Sequence, residues 1–178
     1  MGAGILPVCS VNGKIYFLMG KEGDSNEWSD FGGGKERKET PFQTALREGV
    51  EELNGFLGIQ VDMSKLMRSH RFDTIKHQTF TTYMVEIPYD PMLPYYFNSN
   101  YKFMKQRLPH LIGKNGLFEK SEIRWVDVNE LRKLRRYARP FYKGVIDDIL
   151  KKYKSEFMVL VKSFIYIRES YIYVYIYT

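Results

Sequence analysis

The segment from Gly32 to Gly55, GGGKERKETPFQTALREGVEELNG, decides the fold of this 178-residue chain. It opens with a glycine triplet and then places three glutamates, Glu48, Glu51 and Glu52, close together. Carboxylates at this spacing repel one another by roughly 0.2–0.5 kcal/mol for each exposed pair. The crowding therefore indicates either a solvated acidic face or a site for a cation.

The same segment carries the signals of an amphipathic helix. Thr40, Pro41 and Gln43 suit the N-cap, the first helical position and a capping box. Asn54 and Gly55 both accept the left-handed conformation that ends helices. The three glutamates fall on an arc away from an apolar stripe with helical spacing. The stripe consists of Phe42, Ala45, Leu46, Gly49, Val50 and Leu53.

The charged residues of the segment follow the pattern Gly33-x5-Glu39-x7-Arg47-Glu48-x2-Glu51-Glu52. This pattern resembles the Nudix box, G-x5-E-x7-R-E-U-x-E-E-x-G-U, in which U is a large aliphatic residue. Every charged position agrees with the box, which favours an active enzyme. The departures concern structural positions, where Gly49 and Gly55 replace aliphatic residues and Asn54 replaces a glycine.

The resemblance implies a hydrolase that cleaves the diphosphate linkage of a nucleoside diphosphate joined to another moiety, with Mg²⁺ or Mn²⁺ as cofactor. It implies a role for Arg47 in orienting the carboxylates, and for Glu39 in bracing the loop. Gly33 and Gly34 would let the backbone approach a substrate phosphate closely. It implies that the metal ligands are Glu48, Glu51, Glu52 and the backbone carbonyl of Gly32. It also implies a catalytic role for Glu48, Glu52 and Arg47.

A general base is expected either within the box or in a later loop. Outside the box, Glu119 and Glu122 lie just before or at the start of the strand that holds Trp125. We favour Glu119 as the catalytic base, because it lies at the loop end where the family often presents such a carboxylate.

The rest of the chain predicts an α/β fold of alternating strands and helices. The strands GAGILPVCSV and KIYFLMGKE flank Asn12-Gly13, a strong hairpin signal. Two further strands, over 66–75 and 78–87, are expected around a turn at Lys76-His77, and another over 121–128.

Asn129 is expected to cap a short helix, and Pro140 to open a last helix that continues to about Tyr153. The element order predicts a Nudix-like mixed sheet sandwiched between α-helices, in a single domain over residues 1–154.

Substrate selectivity is expected from residues 88–116, which read as an irregular aromatic loop. The aromatic side chains of this loop could stack on a base or pack onto the core. Residues 101–154 carry 15 Lys and Arg against 6 Asp and Glu, which favours an anionic partner over this half. Candidate substrates are a dinucleotide, a nucleotide sugar, a diphosphoinositol polyphosphate and a capped RNA, so RNA is a possible partner. The candidate phosphate-binding side chains are Lys102, Lys105, Arg107 and Lys114.

The single cysteine, Cys9, and the lack of a signal peptide fit a cytoplasmic protein. Charged residues interrupt the aromatic tail at 155–178, so we expect a β-hairpin or a poorly ordered segment and no membrane span. A non-catalytic nucleotide- or RNA-binding module on a Nudix scaffold is the alternative function. The oligomeric state stays open.

Overall fold

The computed structural model describes residues 1–153, and in them seven strands form one mixed sheet. The strand order is β3-β2-β1-β6-β5, while β4 pairs with β1 and β7 pairs with β2. Only the β1–β6 pair is parallel among these described pairs, so the predicted mixed sheet is confirmed. The strands are β1 (Gly2–Val11), β2 (Lys14–Glu22), β3 (Trp28–Ser29), β4 (Phe31–Gly34), β5 (Arg71–His77), β6 (Phe80–Glu86) and β7 (Lys120–Asp127).

The predicted hairpin joins β1 to β2. Asn12 has φ 51° and Gly13 has φ 72°, the left-handed backbone that a two-residue hairpin turn requires at both positions. Val11 lies opposite Lys14 directly after the turn. The local turn chemistry therefore sets the register of the two longest strands.

Within residues 1–153, five α-helices cover the two faces of the sheet and complete the predicted sandwich. The first three pack on one face around a core that includes Leu46, Met63 and Phe97. The last two pack on the other face, around Leu131 and Ile146. The helices are α1 (Pro41–Glu52), α2 (Gln60–Ser69), α3 (Leu93–Arg107), α4 (Val128–Leu134) and α5, which runs from residue 142 to 153.

The prediction of a strand from residue 66 was wrong, because residues 66–69 are the end of α2. Met63 and Met67, one helical turn apart, are both fully buried in this helix, and burial of that face outweighs the local strand signal. The turn between β5 and β6 lies at Gln78-Thr79 and not at the predicted position two residues earlier.

Residues 88–116 are not an irregular loop, since α3 occupies residues 93–107. Its inner side chains Leu93, Phe97 and Tyr101 recur at helical spacing and are buried. The ring centre of Phe97 lies 5.6 Å from that of Phe118 and 5.3 Å from that of Phe56. Phe97 and Tyr101 thus pack onto the core, as one of the two sequence interpretations predicted.

The C-terminal elements begin at slightly different residues from those predicted. Asp127, and not Asn129, caps α4, because its carboxylate accepts hydrogen bonds from two backbone N–H groups of the first turn. The last helix begins at residue 142, two residues after Pro140. The predicted tail at 155–178 lies outside the described residues. Among residues 1–153, no helix combines the length and the apolar character that a membrane crossing requires.

Candidate active site

The candidate site is built on α1, whose start is capped as the sequence predicts. The Thr40 hydroxyl accepts a hydrogen bond from the Gln43 N–H, and the Gln43 side chain accepts one from the Thr40 N–H. At the other end Asn54 has φ 50°, so it takes the left-handed conformation in place of the expected glycine. Its Oδ1 also accepts the Phe118 N–H at 2.9 Å, which joins the end of the box to the chain before β7.

The guanidinium of Arg47 connects three carboxylates. Its Nε lies 2.9 Å from Glu39 Oε1, and its Nη1 lies 2.8 Å from Glu48 Oε1 and 3.3 Å from Glu51 Oε2. The Nη2 group also donates to the carbonyl of Gly34 at 3.0 Å. The Arg47 hydrogen bond lowers the pKa of Glu39 to about 2. Arg47 therefore links two of the predicted ligands, Glu48 and Glu51, to the carbonyl of Gly34.

Glu48 lies directly against β4. A Cβ atom at Gly33 would lie 2.5 Å from Glu48 Oε1, so glycine at that position leaves the space that this carboxylate occupies. Burial raises the pKa of Glu48, hydrogen bonding to Arg47 lowers it, and the charges of Glu51 and Glu119 raise it further. Glu119 thus lies close enough to influence a box carboxylate.

Glu52 is not part of a solvated acidic face, one of the two sequence interpretations, since it is only 3% exposed. Its Oε1 lies 3.1 Å from the Nζ of Lys120, which also donates to Ser29 Oγ at 2.9 Å and to the carboxylate of Glu22. Burial raises the pKa of Glu52, and the charge of Lys120 opposes this shift. Sequence reasoning missed Lys120, because a single lysine in a strand pattern carries no local signal of burial.

The two candidate bases differ in their surroundings. Glu119 is exposed, just before β7, and its carbonyl accepts the Gly23 N–H at 2.8 Å. Glu122 lies within β7, and its carboxylate is 3.9 Å from the Nζ of Lys21 on the neighbouring strand. Glu122 therefore has a cationic partner on the sheet.

The predicted phosphate-binding cations lie on a separate element from the box. Lys102, Lys105 and Arg107 are exposed on α3, which packs against β7. The turn after α3 does reach the box, since a Cβ atom at Gly116 would lie 3.0 Å from Glu51 Cβ. Lys114, also exposed, lies in that turn.

An open cleft of about 500 Å³ lies beside the outer face of α1. Arg37 and Lys38 line it together with Arg47 and Glu51. The spacing of the box does not mark Arg37 or Lys38 as site residues, although both lie within the box segment. The cleft is therefore of mixed charge, because Glu39 and Glu51 line it beside the three basic side chains.

The carboxylate oxygens of the box suit a hard cation, although each of the three glutamates forms an ion pair with a basic side chain in the structure. No group of three His, Cys, Asp or Glu side chains within residues 1–153 is arranged to hold a metal ion. Glu52 Oε2 is nevertheless buried without a hydrogen-bond partner within that range, and carboxylate oxygens are the ligands that Mg²⁺ prefers. Together with Glu48, which lies in the space left by Gly33, this oxygen makes the site chemically fit for a divalent cation.

Comparisons with known proteins agree with the fold. The family model of the NUDIX domain matches residues 1–149. The crystal structure of a Nudix hydrolase from M. smegmatis, RenU, is similar at 16% identity and a TM-score of 0.54, covering 86% of each chain. The structure of a C. elegans Ap4A hydrolase binary complex is similar at 17% identity and a TM-score of 0.51, covering 86% of this chain and 94% of that one. At these identities the structural likeness concerns the fold. No curated protein matches the chain at a significant level.

Proposed function

The chain belongs to the NUDIX domain family, and from this premise we propose that it hydrolyses the diphosphate linkage of a nucleoside diphosphate joined to another moiety. As a family member it is a Nudix-type pyrophosphohydrolase, and the family uses divalent metal ions. The metal dependence of this chain, with Mg²⁺ or Mn²⁺ as cofactor, is part of the proposal.

One observation carries the proposal. The three box glutamates lie within two turns of one helix, and each already contacts a basic side chain. Such crowding of carboxylates is unfavourable without positive charge. Glu52 also keeps one buried oxygen without a partner among the described residues. A hard cation would satisfy that oxygen and relieve the repulsion at the same time.

In this proposal the carboxylates of Glu48, Glu51 and Glu52, with the carbonyl of Gly32, would hold the metal. When bound, the metal would neutralise charge on the diphosphate and acidify the attacking water. Arg47 orients Glu48 and Glu51 through its guanidinium, at the distances given above.

Glu119 is the proposed general base, which accepts a proton from the attacking water. Its charge already acts on Glu48, whereas Glu122 is paired with Lys21. A box glutamate is the remaining alternative for this role.

The substrate is proposed to bind with its phosphates near Gly33 and Gly34, which line a different pocket from the cleft beside α1. Arg37 and Lys38 in the cleft would attract the diphosphate. A long anionic substrate would also reach Lys102, Lys105 and Arg107 on α3. A dinucleotide, a nucleotide sugar, a diphosphoinositol polyphosphate and a capped RNA are the candidates. Since one structural neighbour is an Ap4A hydrolase, the dinucleotide in the panel should be Ap4A.

The test is a panel of these four substrates with Mg²⁺ or Mn²⁺, with all phosphate-containing products measured. Glu51→Gln and Glu52→Gln should each lower kcat by roughly 100-fold or more with little change in KM, because the lost interaction acts in the transition state. Glu86→Gln, at an exposed glutamate of β6, is the control and should behave as the wild type. Retained turnover in the double variant would place the site elsewhere. Absence of wild-type turnover across the panel would favour the non-catalytic binding module.

The role of the α3 cations needs a separate experiment. Replacing Lys102, Lys105, Arg107 and Lys114 with Ala should raise KM steeply for capped RNA and little for Ap4A. The salt dependence of RNA binding should also become shallower, since fewer counterions are released. A control with equal charge loss replaces four exposed lysines on other elements: Lys14, Lys65, Lys76 and Lys133. Equal KM changes in both variants would remove these residues from the substrate site.

A further inference from the structure

Lys120 is a fully buried lysine in the interior behind the box helix. Its Nζ contacts the carboxylates of Glu22 and Glu52 and lies 2.9 Å from Ser29 Oγ. Removing an ammonium group from water is costly unless such partners compensate it. The lysine therefore depends on the two glutamates, and they depend on the lysine.

The strands provide a fixed place for this side chain. Lys120 lies opposite Glu22 in the β2–β7 pairing, next to a register shift between Lys21 and Glu22. A Cβ atom at Gly20 would lie 3.1 Å from Lys120 Cδ, so glycine leaves the room that the lysine stem occupies. The backbone thus places one cation between a carboxylate of the sheet and a carboxylate of α1.

Only one of the two carboxylate oxygens of Glu52 has a partner among the described residues in this arrangement. Its Oε1 contacts Lys120, whereas its Oε2 is buried with no hydrogen-bond partner within residues 1–153. In the proposed function Glu52 is a metal ligand. One and the same carboxylate is therefore neutralised from inside by a lysine and expected to bind a cation from outside.

We propose that Lys120 is a resident counter-cation that competes with the divalent metal for Glu52 and so limits metal affinity. Two positive charges a few ångströms apart on one carboxylate repel each other strongly in the interior. When Glu52 binds a metal, Lys120 keeps Glu22 and Ser29 as its partners. This inference rests on the proposed function, because it takes Glu52 as a metal ligand.

Substitution of Glu22 provides a second test of the proposal. Its carboxylate shares Lys120 with Glu52, and Arg139 Nη1 lies 3.4 Å from the same carboxylate. Neutralising Glu22 would leave Glu52 as the only carboxylate in contact with Lys120 among the described residues. Competition at Glu52 should then increase, and unchanged metal binding after this change would contradict the proposal.

The test is direct titration of Mn²⁺ binding at constant ionic strength, which needs no substrate. Lys120→Met should bind Mn²⁺ at least about tenfold more tightly than the wild type, because a nearby positive charge is removed. Glu22→Gln, which keeps the shape of the side chain, should bind it severalfold more weakly. Lys133→Met, at an exposed lysine of α4, is the matched control and should leave the affinity unchanged.

Lys120→Met and Glu22→Gln are expected to change the Mn²⁺ affinity in opposite directions, and this difference tests the proposal. Equal affinities in all four proteins would overturn the competition while leaving the proposed metal site intact. Weaker binding in both variants would also overturn it, in favour of a lysine that only positions Glu52. No Mn²⁺ binding by any of the proteins would remove the metal ligands of the proposed function, and the competition with them. If Lys120→Met does not fold, Glu22→Gln still keeps the proposal falsifiable, since unchanged binding there contradicts it.

Discussion

Arg47 and Lys120 both neutralise carboxylates of α1, but they do so in different surroundings. The Arg47 side chain is 23% exposed and shares its charge among Glu39, Glu48 and Glu51. The Lys120 side chain is 0% exposed and faces Glu52. Water can solvate Glu51, whose side chain is 41% exposed, when Arg47 releases it, whereas the partners of Lys120 are shielded from water.

The contrast shows in the pKa values and their causes. Hydrogen bonding to Glu39 raises the pKa of Arg47, with burial opposing it only in part. Burial acts to lower the pKa of Lys120, but the charges of Glu52 and Glu22 outweigh it and the pKa is raised. The Arg47 pairs therefore fix the positions of their carboxylates. The buried Lys120 pairs also offset the free-energy cost of removing charges from water.

The largest effect is expected for Lys120→Met, which leaves Glu22 and Glu52 buried without their shared cation. Loss of one partner of a buried pair costs about 3–5 kcal/mol of unfolding free energy. Urea unfolding at pH 7 without metal measures this change. Adding Glu22→Gln and Glu52→Gln to the same chain should restore most of the stability, because the neutral side chains no longer need a counter-charge. A loss below about 1 kcal/mol in the single variant would contradict strong coupling in the interior.

The second effect concerns Asp30, a fully buried carboxyl group that accepts the Thr82 hydroxyl at 2.8 Å. Burial raises the pKa of Asp30 to about 7, with the Thr82 hydrogen bond opposing the shift. Between its unfolded and folded pKa values the native state holds a proton that the unfolded state has lost. The contribution of Asp30 to stability is therefore greatest below about pH 4 and falls as the pH rises to 7, by roughly 2–4 kcal/mol.

Asp30→Asn should remove this part of the pH dependence while the chain remains folded. Unfolding free energies at pH 4, 5, 6 and 7 in wild type and variant give the difference directly. Curves that stay parallel over this range would show that Asp30 does not change protonation on unfolding.

A smaller effect is expected for Arg47→Met at the surface. Its charge-assisted hydrogen bonds are partly replaced by water, so we expect a loss of about 1–2 kcal/mol. High salt should shrink this loss, and it should not shrink the loss in Lys120→Met. Arg132→Met, at an exposed arginine of α4, serves as the control for charge loss. Equal salt sensitivity of the Arg47 and Lys120 variants would erase the distinction between the two groups.

The smallest effect concerns Gly49, which lies between the two groups and sets how closely α1 approaches β1. Alanine gains about 1 kcal/mol of helix propensity over glycine. A Cβ atom at Gly49 would, however, lie 2.5 Å from Ile5 Cδ1 in the core. We therefore expect Gly49→Ala to give no net stabilisation, and Ile5→Val to recover the gain when it is added to Gly49→Ala. Thermal unfolding of the single and double variants measures this, and a stabilised Gly49→Ala would contradict the close packing.

The sequence by itself determined the features that depend on neighbours along the chain. The capping residues Thr40 and Gln43, the left-handed end at Asn54 and the Asn12-Gly13 turn all act within a few residues. The spacing of the box carboxylates likewise follows from the helical period. Such local interactions have the same meaning in many folds, so the family and the mixed sheet could be predicted, whereas the roles of the site residues stay predictions.

Tertiary structure decided whatever depends on contacts between distant segments. Lys120 and Glu22 are 98 residues apart, and only the β2–β7 pairing brings them together behind Glu52. The burial of Glu52 could not be predicted from α1 alone, because its helical position does not reveal which strand supplies a cation. α3 could not be predicted for a similar reason. Its buried residues Phe97 and Tyr101 alternate with exposed aromatic side chains, which hide the helical spacing of the buried ones. Residues of the same type can lie in the core or at the surface, depending on which distant segments pack against them. A local sequence pattern does not contain that information.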